Sequence, residues 1–146
     1  MLQQRLGTDL LTSATVNATA TRTAGAGRTY DVSNLTDGDK DTYWATNDGE
    51  HTATINIEWA EPQTLHYVML MEYIRLGQRI RKFTIETSLD GESWTKCATT
   101  TTTVGYKRIV PLNNSTSTYS GVDARYLRIS IEDSRSCPTL HTLSVY

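Results

Sequence analysis

Carboxylates recur at every second position within the segment NLTDGDKDTYW, which spans residues 34–44. Asp37, Asp39 and Asp41 are followed directly by Thr42. Oxygen ligands at this spacing, on a tight loop that contains a glycine, can converge on a hard cation such as calcium. The same residues also suit a solvated turn in which the Asp-Gly pair supplies the bend. The spacing alone therefore favours a calcium site and an ordinary Asp-rich turn equally.

A second segment, EYIRLGQRI at residues 72–80, is chemically richer than a connection between two strands requires. It contains Glu72, Tyr73, Gln78 and Arg79. A simple hairpin needs only a turn pair such as Asn-Gly or Asp-Gly, whereas loops with charged and aromatic side chains often carry binding function. We therefore interpret this segment as a candidate functional loop.

The segments that would position these loops have apolar residues at alternate positions and are separated by Gly, Pro, Asn or Asp. They are SATVNATATRT, TATINIEWA, TLHYVMLM, KFTIETSLD, SWTKCATTTT, YKRIVPL, ARYLRISIE and TLHTLSVY. Such alternation is typical of an all-β sandwich or barrel, and no segment shows a convincing helical period. Residues 1–12 are interpreted as a linker or tail, and residues 13–146 as one β domain.

Composition excludes several functional classes. The chain of 146 residues has a formal net charge of -2, so no basic field indicates nucleic acid or an anionic membrane as a partner. It has no apolar run long enough for a membrane span and no secretory leader pattern, and we interpret it as a piece of a larger secreted protein. Neither a Ser-His-Asp arrangement nor a glycosidase carboxylate pair is recognisable, so we expect no catalysis by this chain alone.

The order of NLTDGDKDTYW, ATINIEW, ETSLDGESW, ARYLRISIE and LHTLSVY resembles that of discoidin, or coagulation factor 5/8 type C, domains. This group includes the family-32 carbohydrate-binding modules. The resemblance covers residues 13–146 and implies an eight-stranded antiparallel jelly-roll β-sandwich. EYIRLGQRIRKF, TTVGYKRIV and ARYLRISIEDSRSCP are similar to the C-terminal domain of alpha-L-fucosidases. This narrower resemblance implies a catalytic domain in the same polypeptide, and a secreted, periplasmic or cell-surface location.

The resemblance also implies a structural calcium ion (Ca2+) in the Asp-rich loop. The expected ligands are the carbonyl oxygen of Leu35, then Asp37, Asp39 and Thr42, and from the last strand Thr142. Many members of the family have Glu at this last position. A missing carboxylate lowers the expected affinity, because ligand charge tunes such sites.

Members of this family bind sugars through loops at one end of the sandwich, where a ring stacks on the sugar and fixed polar groups bond its hydroxyls. The expected partner is a glycan that contains galactose, an N-acetylhexosamine or fucose. We expect Tyr73 to stack, and Arg79 with Glu72 to bracket hydroxyl groups. The full set of expected contacts is Glu72, Tyr73, Gln78, Arg79, Tyr106 and Arg135.

Other interpretations of the same loops stay open. The 72–80 segment could instead pack on the catalytic domain, with Ile74 and Leu76 buried at that interface, in a purely structural domain. Tyr106 could belong to an ordinary loop that leads into a strand. Docking on a membrane would use Ile74 and Leu76 beside Arg75 and Arg79, but the negative net charge and the lack of a basic cluster argue against it.

Overall fold

The computed structural model describes residues 9–21, 30–39, 41–47, 49–97, 102–112 and 121–146. Its strands are β1 (Thr15–Ala18), β2 (Trp44–Ala45), β3 (Ala53–Leu65), β4 (Tyr67–Met71), β5 (Ile80–Ser88), β6 (Thr95–Lys96), β7 (Arg108–Pro111), β8 (Val122–Ser134), β9 (Thr139–Leu140) and β10 (Thr142–Val145). Short 3₁₀ turns lie at Leu10–Ser13, Val32–Leu35 and Ile74–Leu76. None of the helices in the described ranges has the length and apolar composition that would cross a bilayer.

The strands form a β-sandwich, which confirms the predicted all-β fold class. One sheet has the order β1-β3-β8-β5-β6, the second has the order β10-β4-β7, and β2 pairs with β9. Every pair is antiparallel. The described residues contain ten strands rather than the eight expected. The difference arises partly because the final segment TLHTLSVY divides into β9 and β10, and because the short β2 has no alternating pattern that would reveal it.

The alternating pattern of the sequence determines which side chains are buried between the sheets. In β3, Ile55, Ile57 and Trp59 are buried while the residues between them face outward. Buried side chains of the five-stranded sheet join those of the three-stranded sheet, such as Leu70 and Leu143, in one apolar cluster. Burial of this surface from water is the main favourable contribution to folding.

The start of the described chain packs on this sandwich. Residues 1–8, most of the segment interpreted as a linker or tail, lie outside the described residues. Leu11 is buried in the core cluster, and the carbonyl of Leu10 accepts a hydrogen bond of 2.9 Å from the indole of Trp59. The Asp9 carboxylate caps the first 3₁₀ turn and also accepts from the backbone N–H of Val145. The folded unit thus includes residues 9–12.

One end of the sandwich gathers the segments that carry the expected binding residues. The loop after β4 runs into β5, whose first residue Ile80 pairs with Ser134 at the end of β8. Thr142, at the start of β10, pairs with Met71 at the end of β4. The turn before β7 joins the same end, because the N–H of Glu72 donates to the carbonyl of Gly105.

Candidate functional site

Glu72 holds the loops of this end together. Its side chain is fully buried, and one carboxylate oxygen accepts from the N–H groups of Arg79 (2.8 Å) and Ile80 (3.0 Å). The other oxygen accepts from the N–H of Gly105 at 2.7 Å. Three backbone donors compensate the buried charge, which would otherwise be costly. The expectation that Glu72 brackets sugar hydroxyls is therefore wrong, since its oxygens are inaccessible and already bonded.

The exposed surface above Glu72 is formed by residues 73–79, 105–106 and 135–136, and we call it the loop face. A pocket of about 150 Å³ on one side brings together Tyr73 and Tyr106, two of the residues expected to contact glycan. We call it the tyrosine pocket. Its lining consists of Tyr73, Ile74, Arg75, Tyr106 and His141.

Tyr73 has one ring face covered by the protein. It stacks on Tyr43, with ring centroids 4.3 Å apart and an interplanar angle of 26°. The guanidinium of Arg75 lies 5.9 Å from the centroid of the Tyr73 ring. Tyr106 differs, because its side chain is 61% exposed. Tyr106 therefore offers the larger free aromatic surface of the two.

Arg75 links the loop face to the Asp-rich loop. Its guanidinium lies 2.8 Å from the carboxylate of Asp41, and both side chains are exposed. Contact with Tyr73, and then the charge of Asp41, raises the pKa of Arg75 above its ordinary value. A pair this exposed contributes little to stability.

The second pocket of the loop face, of about 180 Å³, brings together Gln78, Arg79 and Arg135. We call it the arginine pocket. Its lining consists of Leu76, Gly77, Gln78, Arg79, Arg135 and Ser136. The backbone N–H of Arg135 donates to the carbonyl of Arg79 at 2.8 Å, which sets the two arginines side by side. Arg79 is held further by bonds from Nη1 to the carbonyl (3.0 Å) and the sulfur (3.1 Å) of Cys137.

His141 and Ser136 line the pockets but were not among the expected contacts. His141 is almost fully buried, and its Nδ1 lies 2.6 Å from the hydroxyl of Thr142. The backbone N–H of His141 donates to the carbonyl of Met71, the last residue of β4. Only this strand pairing places His141 beside Tyr73, so its position has no signal in the sequence.

The Asp-rich loop gathers oxygen atoms around Thr42. The Thr42 hydroxyl donates to the Asp37 carboxylate and to the carbonyl of Asp39. Asp37 and Asp39 also accept from backbone N–H groups two residues later, at 2.9 and 2.8 Å. These are Asx turns, in which the aspartates accept hydrogen bonds from the backbone of the loop itself.

The oxygen donors of this loop are of the hard type that calcium prefers, and the hydroxyl of Thr42 lies within hydrogen-bonding distance of both aspartates. These donor types suit the expected cation. Thr142 is the least available of the expected ligands, because its hydroxyl bonds His141. Within the described residues, no three His, Cys, Asp or Glu side chains are grouped so that they could hold a metal.

One known family accounts for nearly the whole sandwich. Residues 15–142 match the F5/8 type C domain family. The chain belongs to this family. The resemblance to discoidin domains that the motif order indicates is thus confirmed for this F5/8 type C domain.

The relatives with the higher sequence identity are alpha-L-fucosidases. The structure of a Bacteroides thetaiotaomicron protein assigned as an alpha-L-fucosidase superposes with a TM-score of 0.82 at 34% identity, over 95% of this chain and 28% of that one. A protein of Oryza sativa subsp. japonica assigned as alpha-L-fucosidase 1 is 27% identical over 134 residues, which are 92% of this chain and 24% of the relative. The chain thus spans about a quarter of the length of these relatives.

A carbohydrate-binding module has the same fold. The family-32 module of a Clostridium perfringens protein, solved in complex with GalNAc-β-1,3-galactose, superposes with a TM-score of 0.75. The superposition covers 95% of this chain and 99% of the module, at 16% identity. This likeness supports the β-sandwich architecture.

Proposed function

We propose that this F5/8 type C domain is a noncatalytic carbohydrate-binding module of a secreted glycoside hydrolase, an alpha-L-fucosidase, and that it binds glycan weakly at the loop face. The observation that carries the proposal is the arrangement of the loop face itself. Tyr73 and the exposed Tyr106 line one pocket, and Gln78, Arg79 and Arg135 line the next. An aromatic surface beside several polar donors is the combination that a sugar ring requires.

The geometry indicates how a sugar would be held. A pyranose ring has an apolar face, which would rest on Tyr106, and a rim of hydroxyl groups, which would bond to the donors. Gln78 lines the arginine pocket and approaches the turn that carries Tyr106, since its amide oxygen is 3.6 Å from the position that a Cβ on Gly105 would occupy. Both pockets are small and open, so few sugar atoms would be buried and the affinity would be low. Attachment to an enzyme would offset this by raising the effective concentration of glycan.

We propose that a structural calcium ion occupies the Asp-rich loop. Leu35 would supply its carbonyl, and Asp37, Asp39, Thr42 and Thr142 would complete the ligand set. The convergence of oxygen atoms around Thr42 supports this. The cation would fix the loop from which Asp41 reaches Arg75 at the loop face. The same proposal places the domain outside the cell, in the periplasm or on the cell surface, because glycan ligands occur there.

Titration of the isotopically labelled chain with single sugars, followed by NMR, tests the proposal. Galactose, N-acetylgalactosamine, fucose and N-acetylglucosamine are the probes. The expected result is a saturable shift of amide signals near Tyr73, Tyr106 and Arg135 with at least one sugar. Shifts confined to the opposite end of the sandwich, or no saturable shift with any probe, would refute glycan binding at the loop face.

A second candidate function is that the domain braces the catalytic domain without binding sugar. Ile74 and Leu76 are each 44% exposed, next to the exposed Tyr106. An apolar group of this kind on a small domain is a feature of interaction surfaces. The alpha-L-fucosidase relatives are about four times longer than this chain, and a catalytic domain of the same polypeptide would then cover these side chains.

A further inference from the structure

The arginine pocket contains polar groups that the protein itself does not use. The side chains of Arg135, Gln78 and Ser136 make no hydrogen bond or ion pair with any described residue. Arg79 uses only Nη1, toward Cys137, so its Nε and Nη2 remain unused among the described contacts. Each guanidinium carries five N–H donors in a fixed planar fork, and two such forks therefore face a single pocket.

The acidic side chains near this pocket already bond other parts of the protein. The described residues that line the pocket include no acidic side chain. Glu72 is buried beneath the loops and bonded to three backbone donors. Asp133, two positions before Arg135 in the chain, pairs with Arg81 at 2.9 Å, and Asp41 pairs with Arg75. The pocket therefore keeps a local positive charge on a chain whose net charge is -2.

A neutral sugar would not use this charge. Its hydroxyl groups can accept hydrogen bonds from a guanidinium, but a carboxylate or a sulfate ester accepts two parallel bonds and compensates the charge as well. The backbone bond between Arg135 and Arg79 and the bonds to Cys137 hold Arg79 in place before any ligand arrives. This lowers the ordering cost of binding an anion.

We infer that the arginine pocket binds an acidic group, a carboxylate or a sulfate ester, carried by the sugar that occupies the loop face. The inference rests on the proposed glycan-binding function and specifies the class of glycan. The tyrosine pocket receives the ring of the sugar, and Arg135 and Arg79 receive its acidic substituent. Acidic glycans are therefore the preferred ligands of this domain.

Titration with matched sugars tests the inference. Galactose, galacturonic acid and galactose 6-sulfate share the ring and differ at one substituent, and sodium sulfate supplies the anion without the sugar. The probes are titrated into the chain at low and at physiological ionic strength while the amide signals of Arg135 and Ser136 are followed by NMR. At low ionic strength we expect an acidic sugar to bind about tenfold more tightly than galactose, with a smaller advantage when salt screens the charges.

Two variants localise the effect. Arg135→Gln removes the exposed guanidinium and should abolish the advantage of the acidic sugar over galactose. Lys96→Gln removes the same charge at an exposed position on β6, outside the pocket, and should preserve the advantage. Thermal melting of each variant establishes that it is folded.

The possible outcomes separate the two proposals. Equal affinity of the wild-type chain for galactose and the acidic sugars would overturn the inference and leave the proposed function standing. Equal loss of the acidic preference in both variants would also overturn it, because the effect would then be one of overall charge. Sodium sulfate that binds as tightly as galactose 6-sulfate would also overturn the inference, because the pocket would then bind simple anions without any contribution from the sugar. Failure of every sugar to bind would refute the inference and the proposed function together.

Discussion

Glu72 connects the two loops that form the loop face. Its carboxylate bonds the N–H groups of Arg79, Ile80 and Gly105, and so joins the loop before β5 to the turn before β7. Tyr106, which lines the tyrosine pocket, follows Gly105 in the chain, and Arg79 lines the arginine pocket. A single buried carboxylate therefore positions both halves of the proposed site without contacting a ligand.

Replacement of Glu72 should destabilise the whole domain. In Glu72→Gln the amide nitrogen would face a backbone N–H, so at least one buried donor would lose its acceptor, at a cost of about 1–3 kcal/mol. Urea unfolding of the variant measures the change. Glu61→Gln, at an exposed position, is the matched control and should change stability by less than about 0.5 kcal/mol. Equal stability of wild type and Glu72→Gln would contradict the role assigned to Glu72.

The Asp-rich loop is the element whose stability should respond to calcium. A cation that binds only the folded chain raises the free energy of unfolding in proportion to the logarithm of its concentration above the Kd. We expect added calcium to raise the melting temperature of the wild-type chain and a chelator to reverse the effect. Asp37→Asn should lose this response, whereas Asp41→Asn should keep it because Asp41 is outside the expected ligand set. An identical melting temperature with calcium and with chelator would contradict the proposed site.

The hairpin turn between β5 and β6 should respond to acid. Hydrogen bonds to the Asp90 carboxylate from the N–H of Ser93, then from the N–H of Glu92 and the hydroxyl of Ser88, lower the pKa of Asp90 below its ordinary value. A lowered pKa in the folded state means that the stabilisation is complete above the ordinary pKa of about 3.9 and is lost as the pH falls through the folded value. Asp90→Ala should therefore be less stable than wild type at pH 7, and the difference should shrink below about pH 4. Denaturant unfolding at several pH values measures it, and a difference independent of pH would count against this account.

At the scale of the whole molecule, the sandwich could be predicted from the sequence because its strands carry their own signal. In β3, the alternation of Ile55, Ile57 and Trp59 indicates which face is buried, whatever the partner strand. The role of Glu72 could not be predicted in this way. It depends on Gly105, which is 33 positions away and is brought close only by the fold. The packing of Leu11 was missed for the same reason, since the short segment 9–12 has no period that would distinguish it from a tail.

The apolar side chains of the loop face distinguish a module that acts alone from one that braces a larger protein. If Ile74 and Leu76 are normally covered, the chain on its own should self-associate through them at high concentration. Leu76→Asp should then shift the sedimentation profile toward the monomer. Leu89→Asp, at a still more exposed position outside the loop face, is the control. Monomeric sedimentation of the wild-type chain and both variants at all concentrations would argue against the bracing function.

Calorimetric titration of the best sugar probe into three forms of the chain tests the central claim, that glycan binds at the loop face, most directly. The forms are wild type, Tyr106→Ala and Leu89→Ala, which each lose an exposed side chain. Loss of the aromatic contact should weaken binding by about 0.5–1.5 kcal/mol in Tyr106→Ala, while Leu89→Ala should bind like the wild type. Equal affinity of Tyr106→Ala and wild type, or an equal loss in both variants, would contradict a glycan site at the loop face.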